Sequence, residues 1–310
     1  MRAVVTGGAG FIGSQLCEFL RAQGERVTEV DLPHCDIGDT ARLTRVLEQA
    51  EPDHIYHLAA QASVRRSWED PAHTWRSNAG GTISLLEAAR SASPQARVIV
   101  MSSAGVFDGT GIDSPIDESR TPAPLSPYAA SKLAVESVAR HYLAAHGLRV
   151  IIIRPFNVIG RRQGPDYLVP SLAHRLVSVA RSGRSHITVG NLDARRDFLD
   201  VRDAVRGLRL LMRNGRPGEV YNLCTGVGVP IRALVETMIL LTGRPLRYRQ
   251  DPDLVRGADA PSLVGDPGKT RGLTGWQATI PLATSLTDVL TEAATAGCTG
   301  QTGAEVFHLG

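Results

Sequence analysis

Tyr128 and Lys132, four residues apart in Pro127-Tyr128-Ala129-Ala130-Ser131-Lys132, are the residues of this chain best suited to chemistry. On a helix they share a face, close enough to interact. An ammonium beside a phenol favours the phenolate, so the spacing predicts a tyrosine with a lowered pKa, usable as a general base near neutral pH. The same spacing also describes a half-buried tyrosine beside a surface lysine. Upstream, Ser102-Ser103 follows the apolar run Val98-Ile99-Val100-Met101. Strand ends in an open α/β sheet face the ligand crevice, where Ser103 can hydrogen-bond an oxygen passing between alcohol and ketone. A Ser-Ser pair after a strand serves equally well as a turn or helix cap.

Such a trio needs a partner that accepts or gives hydride, and the amino-terminal stretch Val4-Val5-Thr6-Gly7-Gly8-Ala9-Gly10-Phe11-Ile12-Gly13 offers a seat for one. An apolar strand turns through glycines into a helix. Side chains are absent where a backbone must approach a pyrophosphate, and the helix start offers free N–H groups. Gly7, Gly10, Phe11, Ile12 and Gly13 are the candidate phosphate-side residues. A second strand-like run, Arg26 to Val30, ends in Asp31, where an acid holds the hydroxyls of an adenosine ribose. A carboxylate there repels a 2′-phosphate and so favours NAD over NADP.

The totals bound the class. The chain has 310 residues, 43% of them apolar and 21% charged, enough for one large domain or two unequal ones. A net charge of +3 without a basic run gives no argument for nucleic acid. Cys17, Cys35, Cys224 and Cys298 are scattered, with neither zinc spacing nor a disulfide framework, so no metal is expected. The apolar runs are much shorter than a membrane span and no leader-like segment opens the chain, which makes the cytoplasm the default expectation.

The positioning elements follow from periodicity. Helical patterns at Phe11–Gln23, Asp39–Gln49 and Ser77–Ser91 alternate with strand-like runs at His54–Ala60, Val98–Met101 and Val150–Ile153. Strands apolar throughout, alternating with helices, predict a Rossmann-type, doubly wound parallel α/β sheet covered on both faces. Residues 1–160 are expected to form this dinucleotide-binding domain. Residues 161–296 are expected to form a smaller mixed α/β substrate lobe, with some later segments returning to the first domain. Residues 297–310 lack periodicity and read as a frayed tail.

Taken together, the glycine turn, Asp31, Ser103 and Tyr128/Lys132 resemble the extended short-chain dehydrogenase/reductase family, in its nucleotide-sugar epimerase, dehydratase and ketoreductase branch. The resemblance runs from Met1 to about Leu290 and implies Ser103, Tyr128 and Lys132 as catalytic. It implies Asp36 and Ile37 beside the adenine, Leu58, Ala59 and Ala60 of His57-Leu58-Ala59-Ala60 beside the cofactor, and Asn78 supporting that wall. In Arg154-Pro155-Phe156-Asn157-Val158-Ile159-Gly160 it implies Pro155 at the cofactor and Asn157 at the sugar-nucleotide diphosphate. Arg195-Arg196-Asp197-Phe198-Leu199-Asp200 places Arg196, and Val255-Arg256 places Arg256, on the same ligand; planar bidentate donors suit a diphosphate. The second lobe is most similar to GDP-mannose 4,6-dehydratase and GDP-4-keto-6-deoxymannose reductase. A homodimer through the helices near 80–90 and 128–146 is implied as well.

Two departures shape the expected reaction. Dehydratases of this branch carry an acid two places after the catalytic serine or threonine, whereas this chain has Ala104-Gly105, and neither exchanges a proton. Asp108, Asp113 and Glu118 are the nearby carboxylates. Asp31 favours a retained NAD, hence an epimerase passing through a transient keto-sugar on a GDP- or UDP-hexose. The second lobe favours the alternative, an NAD(P)H-dependent 4-keto-6-deoxy sugar reductase. A non-catalytic nucleotide sensor is the alternative from another class, opposed by the intact Ser/Tyr/Lys set.

Overall fold

The computed structural model describes residues 1–110, 114–251 and 260–296. The amino-terminal half runs β1 (Arg2–Thr6), α1 (Phe11–Ala22), β2 (Arg26–Val30), α2 (Thr40–Ala50) and β3 (His54–His57). Two short helices, α3 (Val64–Glu69) and α4 (Pro71–Trp75), lead through a π-turn at Arg76–Gly80 into α5 (Gly81–Ala92) and β4 (Arg97–Met101). Helix α6 (Pro127–His146) and β5 (Arg149–Pro155) follow. The helical pattern expected from Ser77 to Ser91 is interrupted by the wider turn at Asn78, and α5 proper starts at Gly81.

The main sheet is parallel throughout, in the order β2-β1-β3-β4-β5-β9, with β9 at Val220–Leu223. Chain direction across it reverses between β1 and β3, so their carboxyl ends open the crevice where such sheets bind ligands. Its strands read as apolar runs because both faces are covered. Val5, Tyr56, Ile99 and Ile151 pack on α1 and on α8 (Val201–Asn214). Val4, Ile55, Val98 and Val150, one residue out of phase, pack on α2, α5 and α6.

The second lobe holds β6 (Asn157–Ile159), α7 (Leu168–Arg181), β7 (His186–Val189), β8 (Arg195–Asp200), β10 (Gly228–Pro230), α9 (Ile231–Leu241), β11 (Arg247–Gln250) and β12 (Ser262–Leu263). Helices α10 (Gly268–Thr274) and α11 (Leu282–Ala296) close the described chain. Strand β8 pairs with β6, β10 and β12, while β7 and β11 form a separate parallel pair. Its core sits between α7, α9 and α11, around Leu172, Leu234, Met238 and Leu286. Strands of two to six residues are too short to carry a clear periodic signal, which is why sequence periodicity misses most of them. Among the described residues no helix is long and apolar enough to cross a membrane.

Candidate active site

The glycine turn is shaped by contact. Gly7 has φ 71°, and a Cβ there would lie 2.7 Å from the Ala59 backbone nitrogen; at Gly13 it would lie 1.9 Å from the Gly7 carbonyl oxygen. The turn is therefore wedged against the end of β3, and α1 starts directly against it. Gly10 is the N-cap of α1 and brings no side-chain cap, which leaves the first-turn N–H groups at Phe11, Ile12 and Gly13 pointing out of the helix start. This cradle fits a dinucleotide pyrophosphate. Asp31 stands beside it: Oδ2 accepts from the Ala9 N–H at 2.8 Å and Oδ1 from the Leu32 N–H at 2.9 Å. Asp36 turns its own loop, accepting from the Gly38 N–H at 2.8 Å, and Ile37 lies where a Cβ on Gly81 would meet it.

Behind the turn runs a buried relay. The Ala59 N–H donates to Thr6 Oγ1, which lies 2.8 Å from His57 Nδ1; His57 Nε2 lies 3.1 Å from Thr82 Oγ1, and that hydroxyl donates to the Asn78 carbonyl at 2.7 Å. Because Thr82 spends its proton on Asn78, Nε2 must carry the ring proton and Nδ1 must accept. Burial, and then the Lys132 charge, push the His57 pKa from 6.5 down to about 3. Burial lowers His54 as well. A group depressed in the fold lends stability above its unfolded pKa and loses it as pH falls. Stability is thus expected to drop between pH 6.5 and about 3, by at most about 1.4 kcal/mol per pH unit from His57. Urea midpoints at pH 7 and 5 should show a flatter dependence in His57→Gln.

Asn78 is fully committed within the protein. Its Oδ1 accepts from the Gln61 N–H at 2.8 Å, and its Nδ2 donates to the Gln61 carbonyl and to Ser131 Oγ. It ties the loop after β3, with Leu58, Ala59 and Ala60, to α6.

Helix α6 begins where it must. Ser126 caps it by accepting from the Ala129 N–H at 3.1 Å, and Pro127 occupies the first turn, whose N–H needs no partner. That start puts half-buried Tyr128 beside Ser103, close enough for the serine hydroxyl to favour the phenolate. Ser103 Oγ also accepts from the Gly105 N–H at 3.0 Å. Lys132, 5% exposed, donates from Nζ to the Met101 carbonyl at 2.9 Å and lies 5.9 Å from the Tyr128 ring centroid.

The expectation of a tyrosine pKa lowered by Lys132 is not met in this structure. Burial pushes the Tyr128 phenol up to about 12, with the Ser103 hydrogen bond only partly opposing it, and nearby Tyr167 adds to the rise. Burial also brings Lys132 down to about 8. Desolvation sets the direction for both groups.

Among the described residues, the nearby carboxylates are engaged elsewhere. Asp108 is bound to Thr110 and paired with Arg120 at 3.6 Å, and Glu118 Oε1 accepts from the Asn222 N–H at 2.7 Å. A Cβ on Gly105 would lie 3.3 Å from Ser103 Oγ and 3.9 Å from Tyr128 Cε1. An acid at this position would point at the reacting groups, and glycine removes it. Asp113 lies outside the described residues.

The diphosphate side is only partly drawn together. Pro155 ends β5 and pairs with Leu223; Asn157 opens β6, exposed, opposite Phe198. Arg196 is 9% exposed within β8, and its Nη1 donates to the Arg195 carbonyl at 2.9 Å. Next to it Asp197 is fully buried, holding the turn at Thr225 and Gly226 through three hydrogen bonds of 2.7–2.9 Å. Arg256 lies outside the described residues. Sequence reasoning did not single out Thr82, Ser131, Glu136 or Tyr167. Glu136 had a signal, since it falls four residues after Lys132 on the same helical face.

The parallel sheet with its glycine turn is a Rossmann-like α/β architecture, and it brings Ser103, Tyr128 and Lys132 together at the end of β4. The model of the NAD dependent epimerase/dehydratase family matches residues 3–224, and the chain belongs to that family, within the extended short-chain dehydrogenases/reductases. GDP-6-deoxy-D-mannose reductase of Pseudomonas aeruginosa is 33% identical over 294 residues, covering 94% of this chain and 96% of its own. UDP-glucose 4-epimerase of Streptomyces lividans is 33% identical, covering 88% and 90%. The structure of RMD from Pseudomonas aeruginosa, complexed with NADPH, superposes with a TM-score of 0.88 at 31% identity, covering 96% of this chain and all of that one.

Proposed function

We propose that the protein uses NAD to interconvert alcohol and ketone on the sugar of a nucleoside-diphosphate hexose, at C4, and recycles its cofactor as an epimerase. The gathering of Ser103, Tyr128 and Lys132 at the end of β4 supports the redox chemistry. Tyr128 exchanges the hydroxyl proton, Ser103 holds the sugar oxygen and shares its developing charge, and Lys132 keeps an ammonium next to both below pH about 8. The nicotinamide, when bound, supplies hydride transfer and, oxidised, a positive charge. Gly7, Gly10, Phe11, Ile12, Gly13 and Asp31 would hold the dinucleotide, with Asn157, Arg196 and Arg256 on the substrate diphosphate. We place the enzyme in the cytoplasm as a homodimer through α5 and α6, where Ile83 is 43% exposed.

Asp31 supports the recycling reading: two backbone N–H groups hold its carboxylate where it would repel a 2′-phosphate. Asp31→Ser is expected to raise the ratio of NADPH to NADH use at least tenfold, roughly 1.4 kcal/mol, in steady-state kinetics. A second reading, net reduction of a 4-keto-sugar, is favoured by the similarity to the reductase and to its NADPH complex. Native mass spectrometry followed by a GDP- and UDP-sugar panel separates the two. Co-purified NAD and a configuration change without added cofactor support epimerisation. Consumption of keto-sugar only with stoichiometric NAD(P)H supports reduction.

A further inference from the structure

Three consecutive residues at the end of β4 each bind one residue of α6: the Met101 carbonyl takes Lys132 Nζ, Ser102 Oγ donates to Glu136 Oε1 at 2.6 Å, and Ser103 meets Tyr128. Tyr128, Lys132 and Glu136 are spaced by four and so share one helical face. Glu136 is wholly buried. Its Oε1 also accepts from Arg154 Nε at 2.7 Å, and its Oε2 accepts from Arg154 Nη2 at 2.8 Å and Arg140 Nη2 at 3.2 Å. Arg154, 2% exposed, lies one residue from the end of β5 beside the Ile153 carbonyl that receives the Ser102 N–H, and it stacks on Phe107 at 4.9 Å. The carboxylate therefore joins two strand ends and one helix at a single buried point.

We infer that Glu136, held by Arg154 and Ser102, is a positioning residue that fixes the register of α6 against β4 and so sets the reach of Tyr128 and Lys132 to the substrate oxygen. The inference rests on the proposed carbonyl–carbinol chemistry. Apolar packing of equal volume serves stability as well as or better than a buried ion pair. A bidentate pair adds direction: it resists sliding and rotation of α6, motions that would separate Tyr128 from Ser103 while costing a greasy contact little.

Lys132 and Lys269 are the only lysines in the sequence, so carbon-13-labelled lysine gives two side-chain resonances from the full-length protein. Lys269, paired with Glu219 at 2.7 Å, is the internal control. Glu136→Asp keeps the charge and shortens the reach; Ser102→Ala removes one hydroxyl and serves if the first variant does not fold. In either, the Lys132 titration is expected to move up by ~1 unit as water reaches Nζ, with Lys269 unmoved. Turnover should fall about tenfold, with KM and cofactor affinity within about threefold of wild type. Unchanged Lys132 titration and turnover with only a lower melting temperature would overturn the clamp. A shifted Lys132 in Glu136→Asp, alongside a Tyr128→Phe enzyme that still turns over, would keep the clamp and sink the reaction assigned to the site.

Discussion

Tyr128→Phe is expected to lower turnover of the sugar substrate roughly 10²–10⁴-fold, the range supplied by a placed acid–base group. Cofactor affinity, read by nicotinamide fluorescence or native mass, should stay within about threefold, because the cradle at Gly7–Gly13 and the carboxylate of Asp31 are untouched. The phenol oxygen is the one atom removed. Ser103 keeps its bond from the Gly105 N–H and Lys132 keeps the Met101 carbonyl, so the walls of the cleft remain. A module that only senses nucleotide would lose neither property. Turnover near the wild-type level would move the proton-exchanging role elsewhere, and Tyr167, 37% exposed, whose phenol raises the Tyr128 pKa, would be the next residue to test.

The largest stability effect is expected for Arg154→Met. It leaves Glu136 charged and wholly buried with only partly exposed Arg140 and the Ser102 hydroxyl for company. Losing one partner of a buried pair costs about 3–5 kcal/mol, a large part of the stability of an ordinary domain. The double variant Arg154→Met/Glu136→Leu should recover much of that loss without recovering turnover. The pH dependence separates charge from packing. Burial pushes Glu136 up, but Arg154 and Ser102 outweigh it and hold the carboxyl below its ordinary 4.5. A depressed carboxylate lends stability above its unfolded pKa and loses it as pH falls through the folded value. The gap between wild type and Arg154→Met should therefore be widest above pH 4.5 and narrow below it, measured by urea unfolding. A gap independent of pH would assign the loss to the stacking on Phe107 instead.

The sheet was legible because its strands are apolar on both faces. Val98–Met101 and Val150–Ile153 had no other destination, and the glycines before Phe11 announced the turn. Ser103, Tyr128 and Lys132 were legible because helix spacing and strand ends convert directly into neighbours. What spacing could not supply was the electrical state of the trio. The attraction between ammonium and phenol is a local rule, whereas the burial that overrides it depends on what the rest of the fold packs around them. The same limit hid Glu136, a carboxylate that sequence alone reads as solvated. Around β8, residues 195–200 were matched by resemblance, yet their strand partners come from segments as far away as Gly228 and Ser262, and no local pattern carries that pairing.

Strand β9 lies sixty-five residues beyond the end of β5 in the chain and yet hydrogen-bonds alongside it, after the excursion through β6, α7, β7, β8 and α8. The two halves are consequently laced together rather than strung in series. A gene cut after residue 160 would deliver a product whose β5 has a bare flank from Ile152 to Pro155, an unpaired edge open to pairing with another chain. Exchange of the ligand-selecting half between relatives must then be done as a cassette excised at two points, and nascent chains must wait for the ribosome to pass Leu223 before the first sheet can be sealed.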